Sequence, residues 1–407
     1  MMPVRLGISM MLALAAVTGA HAQPAAGSDA GAEIHDRVLV LDAHADILLP
    51  SAPPASFLPG GGTRVDLDHL IEGGVDAVVL AVAVGPGPRD AEGVAAARDE
   101  ADDRLAAIHA FAASDPGRIG LALSARDVEQ LHRAGKIAVL ISFQNARSIG
   151  HDLSQIDLFY QKGVRVFALT HAGHNDFADS SRPAGGPPSE HGGLSPLGRD
   201  AVKRLNALGA LIDVSQLSTD ALFQTLALSR APVAATHSSA RALVDDPRNL
   251  SDAELDAIGK NGGVVQVVPF SPYVHRVDEA SLARISTIRL AYGLPEKAST
   301  STEGIYGLSA ERQQAFLGEI RKAQTRGTIA EFVDHIDYIA KRIGWRHVGV
   351  GTDFNHGGGV GGFESAADAA HVTRELVRRG YSEEQIAGIW GGNFLRVLRG
   401  AEHARAP

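Results

Sequence analysis

Eight short apolar runs recur along the chain: "RVLVLDA" (37–43), "GVDAVVLAV" (74–82), "KIAVLISF" (136–143), "GVRVFALT" (163–170), "GALIDVS" (209–215), "APVAAT" (231–236), "GGVVQVVPF" (262–270) and "RHVGVGT" (346–352). Each has the length and β-branched content of a buried strand. "RIGLALS" at 118–124 is a weaker, peripheral ninth. Helical patterns fill the gaps, at 92–113, 197–208, 251–258, 309–324, 328–343 and 381–400. Two carry a capping box at the start, Ser251 with Glu254 and Ser382 with Gln385. Strands alternating with helices of this length imply parallel strands joined by crossovers. Eight of them favour an α/β fold closed as a (β/α)8 TIM barrel. An open doubly wound sheet is the rival, but no glycine-rich phosphate loop follows the first run.

The ends of these runs are unusually polar. "LDAHAD" (41–46) sets Asp42, His44 and Asp46 on one alternating face. Barrel enzymes carry their chemistry where strands end, and those ends supply His44, Asp46, Gln144, His171, Gln216, His237 and Asp353. Imidazole with carboxylate suits zinc and similar ions. Asp353, in "GTDF", has the chemistry to ligate a metal and to take a proton from water; the plain alternative is a turn aspartate. Arg248, in the loop "DDPRNLSD", suits a carboxylate held by two hydrogen bonds, or is an ordinary surface arginine. The longest loop, 171–196, has the size of a pocket wall.

Composition narrows the partners. The 407 residues are 45% hydrophobic and 21% charged, with a formal net charge of -9. With no block of Lys and Arg to offset that acidity, nucleic acid is not expected as a partner. The first 22 residues read as an export signal: Arg5, the apolar "LGISMMLALAAV", then "AHAQ" with a cut after Ala22. The apolar run is too short for a permanent anchor of about 20 residues. A periplasmic or secreted protein follows. No cysteine is present, so no disulfide forms. Residues 23–35 read as a flexible lead-in, 36–402 as one barrel domain and 403–407 as a tail.

The ordered set "LDAHAD", "GGLSPLGRDAVKRLNALGALIDVS", "APVAATHSSARAL", "DDPRNLSD", "HVGVGTDF" and "GGNFLRVLRG" resembles the renal (membrane) dipeptidase family, peptidase M19, of the metal-dependent amidohydrolases. The likeness runs from about residue 36 to 400. It implies hydrolysis of dipeptides at a two-metal, usually zinc, site, and a homodimer. By resemblance, His44, Asp46 and Asp353 bind the first metal and His237 belongs to the second. His171 stabilises the oxyanion, Arg248 holds the C-terminal carboxylate, and Asp353 shuttles the proton.

Two positions depart from the family. Gln144 stands where it has its metal-bridging glutamate, and Gln216 where it has the next metal histidine. Asn145, Ala146 and Arg147 replace the residues that normally follow the bridge. A neutral amide is a poorer ligand, and without the bridging charge two dications repel more. One tightly held zinc on His44, Asp46 and Asp353 is therefore expected. His174 and His356 are candidate substrate-pocket donors that also have the chemistry to rebuild a second site. Three functions remain open: an exported metallohydrolase of dipeptides or small N-acyl amino acids, a one-metal hydrolase of another amide, ester or lactone, and a non-catalytic binder of amino-acid-like ligands on the same scaffold.

Overall fold

The computed structural model describes residues 29–52, 57–58, 62–296, 304–323 and 325–405. The export signal and the start of the lead-in lie outside them. Among the described residues nine parallel strands form: β1 (Leu41–Asp46), β2 (Ala77–Ala83), β3 (Ile119–Leu121), β4 (Ile137–Gln144), β5 (Val164–Ala168), β6 (Leu211–Asp213), β7 (Ala234–Ala235), β8 (Val264–Val267) and β9 (Val348–Val350). Eight follow one another around the sheet in the order β1-β2-β4-β5-β6-β7-β8-β9, and β3 pairs only with the first half of β4. The expected barrel and the peripheral ninth strand are both present.

The barrel closes narrowly. The segment after β9 bonds β1 through the backbone, Asp353 N to His44 O at 2.7 Å and Asp46 N to Phe354 O at 2.9 Å. The Asp42 carboxylate supplements them. It accepts from the Thr352 amide at 2.9 Å and the Thr352 hydroxyl at 2.6 Å. Burial, first of all, pushes Asp42 up to about 7, against the pull of the Thr352 hydrogen bonds.

Alternation along the strands sorts two cores. Leu41, Ala77, Val79, Ala138 and Leu140 pack with Phe394 and Leu398 of the C-terminal helix Asn393–His403, which therefore plugs one end of the barrel. The intervening residues, such as Val78, Leu80, Val139 and Ile141, pack outward with Leu105 and Ile108 of the helix Ala91–Ala112. Burial of this extent drives the fold, at roughly 25 cal/mol per Å² of apolar surface. Gly351 is required by closeness: a Cβ there would lie 2.0 Å from the Thr236 carbonyl oxygen.

Three expectations need correction. The end of the lead-in is ordered, as the helix Ala30–His35, because His35 is buried between the Thr373 hydroxyl and the Gly73 carbonyl. The simple alternation through Asp42, His44 and Asp46 fails. The β1–β2 register slips between Asp42 and Ala45, and this bulge frees Asp42 to turn toward Thr352. The expected helix 381–400 is Glu383–Ala387 and Asn393–His403 joined by a π-helical turn, Gly388–Gly392.

Candidate metal centre

The bulge in β1 brings His44 and Asp46 to the barrel mouth. β9 runs on into Thr352 and Asp353, whose φ of 53° lies in the left-handed region. This strained turn sets the Asp353 carboxylate beside His44, with Oδ1 3.7 Å from Nε2. One ligand atom from each of His44, Asp46 and Asp353 lies within 4.8 Å of the others, and all three residues are buried. Among the described residues, buried His44 Nε2 and Asp46 Oδ1 find no hydrogen-bond partner. Orphaned acceptors are costly unless something else binds them, so this donor set fits a divalent ion.

The imidazoles are held from behind. The Thr236 hydroxyl donates to Asp213 Oδ2 at 2.5 Å. With its one proton spent, it accepts from His237 Nδ1 at 2.8 Å and His44 Nδ1 at 3.3 Å. Both rings are thereby fixed with the proton on Nδ1 and the lone pair on Nε2, and they stack with centroids 3.8 Å apart. His44 Nε2 faces the carboxylates. His237 Nε2 instead meets two amides, Gln144 Nε2 and Gln216 Nε2, each at 3.2 Å.

His356 brings positive charge to the mouth. His356 Nδ1 bonds Asp46 Oδ2 at 2.9 Å. Burial lowers its pKa, but the charges of Asp353 and Asp46 outweigh that and raise it to about 9. Burial pushes Asp46 up too, yet the hydrogen bond from His356 holds it below its usual value. Asp353 is raised, by burial and then by Asp46. His171, edge-on to His356 at 5.2 Å, keeps a buried Nδ1 with no hydrogen-bond partner. Burial drives His171 and His237 well below the ordinary histidine range. Arg248 is buried, donating to the Ser238 hydroxyl and the His237 carbonyl. A cavity of about 210 Å³ reaches Gln216 and Arg248.

His44, Asp46, Gln144, His171, Gln216, His237, Arg248, Asp353 and His356 thus converge. His174 does not join them. Its Nδ1 accepts from Ser180 N and its Nε2 bonds the Pro187 carbonyl, so it braces the 171–196 loop. It is neither a pocket donor nor a replacement ligand. Thr236, Asp213, Tyr273 and Arg182 escape sequence reading. Thr236 and Asp213 sit at run ends beside flagged residues, which is a usable signal; nothing marks Arg182 within its loop.

An α/β barrel with buried imidazole and carboxylate donors at the strand ends defines the class. Residues 29–407 match the model of the membrane dipeptidase family, peptidase family M19, and the chain belongs to that family. It is 32% identical over 293 residues to dipeptidase tcpJ of Claviceps purpurea, covering 71% of this chain but 57% of that protein. The crystal structure of the probable dipeptidase PvdM from Pseudomonas aeruginosa superposes with a TM-score of 0.82 at 36% identity, covering 92% of this chain and 98% of that one. A metallo peptidase from Rhodobacter sphaeroides, liganded with a phosphinate mimic of L-Ala-D-Ala, shares the fold at 22% identity, with a TM-score of 0.69 and coverage of 89% and 99%.

Proposed function

We propose that the protein is a metallohydrolase that cleaves the amide bond of dipeptides and related N-acyl amino acids, with one tightly held ion, zinc by preference. The observation that carries this reading is the buried, partnerless pair His44 Nε2 and Asp46 Oδ1 beside Asp353. An ion held by His44, Asp46 and Asp353 supplies Lewis acidity, acidifying water and polarising a carbonyl.

The chain's own residues do the remainder. Asp353, its pKa raised by burial and by Asp46, takes a proton from the attacking water and returns it to the leaving amine. His171, edge-on to His356 and with a buried Nδ1 that no group among the described residues engages, offers a donor for the oxyanion. Arg248, pinned by Ser238 and the His237 carbonyl, receives the substrate carboxylate.

The single ion follows from His237. Its Nε2 lone pair faces two amide groups, and the orientation of Gln216 is fixed independently because its Oε1 accepts from Arg182 at 2.8 Å. That cluster also favours a second reading, a one-metal hydrolase acting on another small amide, ester or lactone. Elemental analysis of protein purified without chelator is the test. About one zinc per chain is expected, and about two would overturn the mononuclear centre. A dipeptide panel including D-residues at the C-terminal position then separates the two readings, and Asp353→Asn is expected to abolish turnover of whichever substrate responds. Arg5 and the apolar run after it support export to the periplasm. Among the described residues no helix is long and apolar enough to cross a membrane.

A further inference from the structure

The half of the centre around His237 is filled as well as depleted. Arg182 reaches it from the 171–196 loop. Its Nη2 donates to Gln216 Oε1 at 2.8 Å and its Nη1 to the Tyr273 hydroxyl at 3.2 Å. The approach is built into the backbone. Ser181 N donates to the Gln216 carbonyl at 2.9 Å, and Gly173 N to the Arg182 carbonyl at 2.8 Å, so the loop is strapped to the strand end it serves. Gln216 holds a φ of 67°, a left-handed conformation that a non-glycine residue adopts at a cost. Its amide then bridges, taking a hydrogen bond from Arg182 and giving one to His237. On the far side Arg248 lies over the Tyr273 ring at 5.7 Å.

We propose that Arg182, held one amide away from His237 through Gln216, fixes a positive charge beside this half of the centre and so disfavours a second ion on His237. The inference rests on the one-metal reading above and deepens it. Gln144 and Gln216 weaken a second ion by being poor ligands. Arg182 opposes it actively, because a fixed cation within reach of Gln216 repels a dication. Unlike an ion, a guanidinium does not dissociate, and it presents N–H donors in a fixed plane. It is a positioning residue for Gln216 and, through Gln216, for His237.

Zinc counting on ligand-restored variants tests this without recourse to activity. Gln144→Glu with Gln216→His restores a carboxylate and an imidazole, yet the double variant is expected to stay near one zinc per chain. Adding Arg182→Ala is expected to bring it to about two. A double variant that reaches two with Arg182 present overturns the proposal, and so does a triple variant that remains at one. The difference between the two variants reads Arg182 alone. Absence of zinc from the native chain would instead sink the metallohydrolase reading. Should the multiple variants not fold, zinc-soaked crystals of the native protein and of Arg182→Ala alone are compared: an ion on His237 Nε2 only in Arg182→Ala supports the proposal, and an ion on that nitrogen with Arg182 in place refutes it.

Discussion

Thr236 shows how much one side chain can settle. Its hydroxyl gives its proton to Asp213 and so leaves two imidazoles with their lone pairs facing the mouth. Partners of this kind are worth about 10- to 100-fold in metal affinity. Thr236→Val, which keeps the shape, is expected to weaken zinc binding by about that factor and, by orphaning the buried Asp213 Oδ2 and His237 Nδ1, to lower the unfolding midpoint as well; competition with a chromogenic chelator measures the binding. Asp179 governs a different property. It accepts from the Ser189 hydroxyl and from the amides of Glu190, His191 and Gly193. Burial raises its pKa, but these hydrogen bonds outweigh it and bring the carboxyl from 3.8 to about 2. A depressed carboxylate stabilises fully above its unfolded value and loses that contribution as pH falls through the folded one. At about 1.4 kcal/mol per unit, roughly 2 kcal/mol is at stake. Asp179→Asn is expected to cost about that at neutral pH, with the gap to the native protein closing between about pH 4 and pH 2 in urea titrations. A constant gap across that window would show that the carboxylate charge is not the source.

Elements were legible wherever local chemistry decides them. The capping boxes at Ser251 and Ser382 form as their spacing implies, and the apolar runs all contain strands. Strand lengths were less legible. "APVAAT" yields only Ala234–Ala235, because its two ends leave the ladder: the Val233 amide goes to Asn261 Oδ1 and the Thr236 amide to the Asp213 carboxylate. The break in 381–400 has a tertiary cause. Gly388 lies against the Trp345 ring and Gly391 against Leu39, approaches that any Cβ would block, and Asn393 bonds the carbonyls of Trp345 and Val348. A π-turn lets the chain follow those contacts and re-aim the last helix into the barrel end. Phe394 heads that plug, 1% exposed, so Phe394→Ala is expected to destabilise by about 3–5 kcal/mol, read by denaturant unfolding. Arg182 was not legible at all, since its role arises only when a loop meets a strand end 34 positions further on.

At the scale of the molecule, the donors and the fold are not independent. Ligand binding to the native state alone raises stability by about 2.7 kcal/mol at a hundredfold excess over Kd. The melting temperature is therefore expected to rise with zinc and fall with a chelator, and a Thr236→Val protein is expected to need more zinc for the same rise. Differential scanning fluorimetry across a zinc series checks both.

The narrow join between β9 and β1 gives this coupling a location. His44 and Asp46 stand on one lip of it and Asp353 on the other, brought together from opposite ends of the chain. Any ion they share acts as a clasp across the last gap to close, uniting the first strand made with the last. Hydrogen exchange at the amides of Asp46 and Asp353 is expected to slow when zinc is added, while exchange within β4 and β5 stays unchanged. Loss of the ion would then be felt first along that single seam, as local opening of a barrel that its own hydrogen bonds still close.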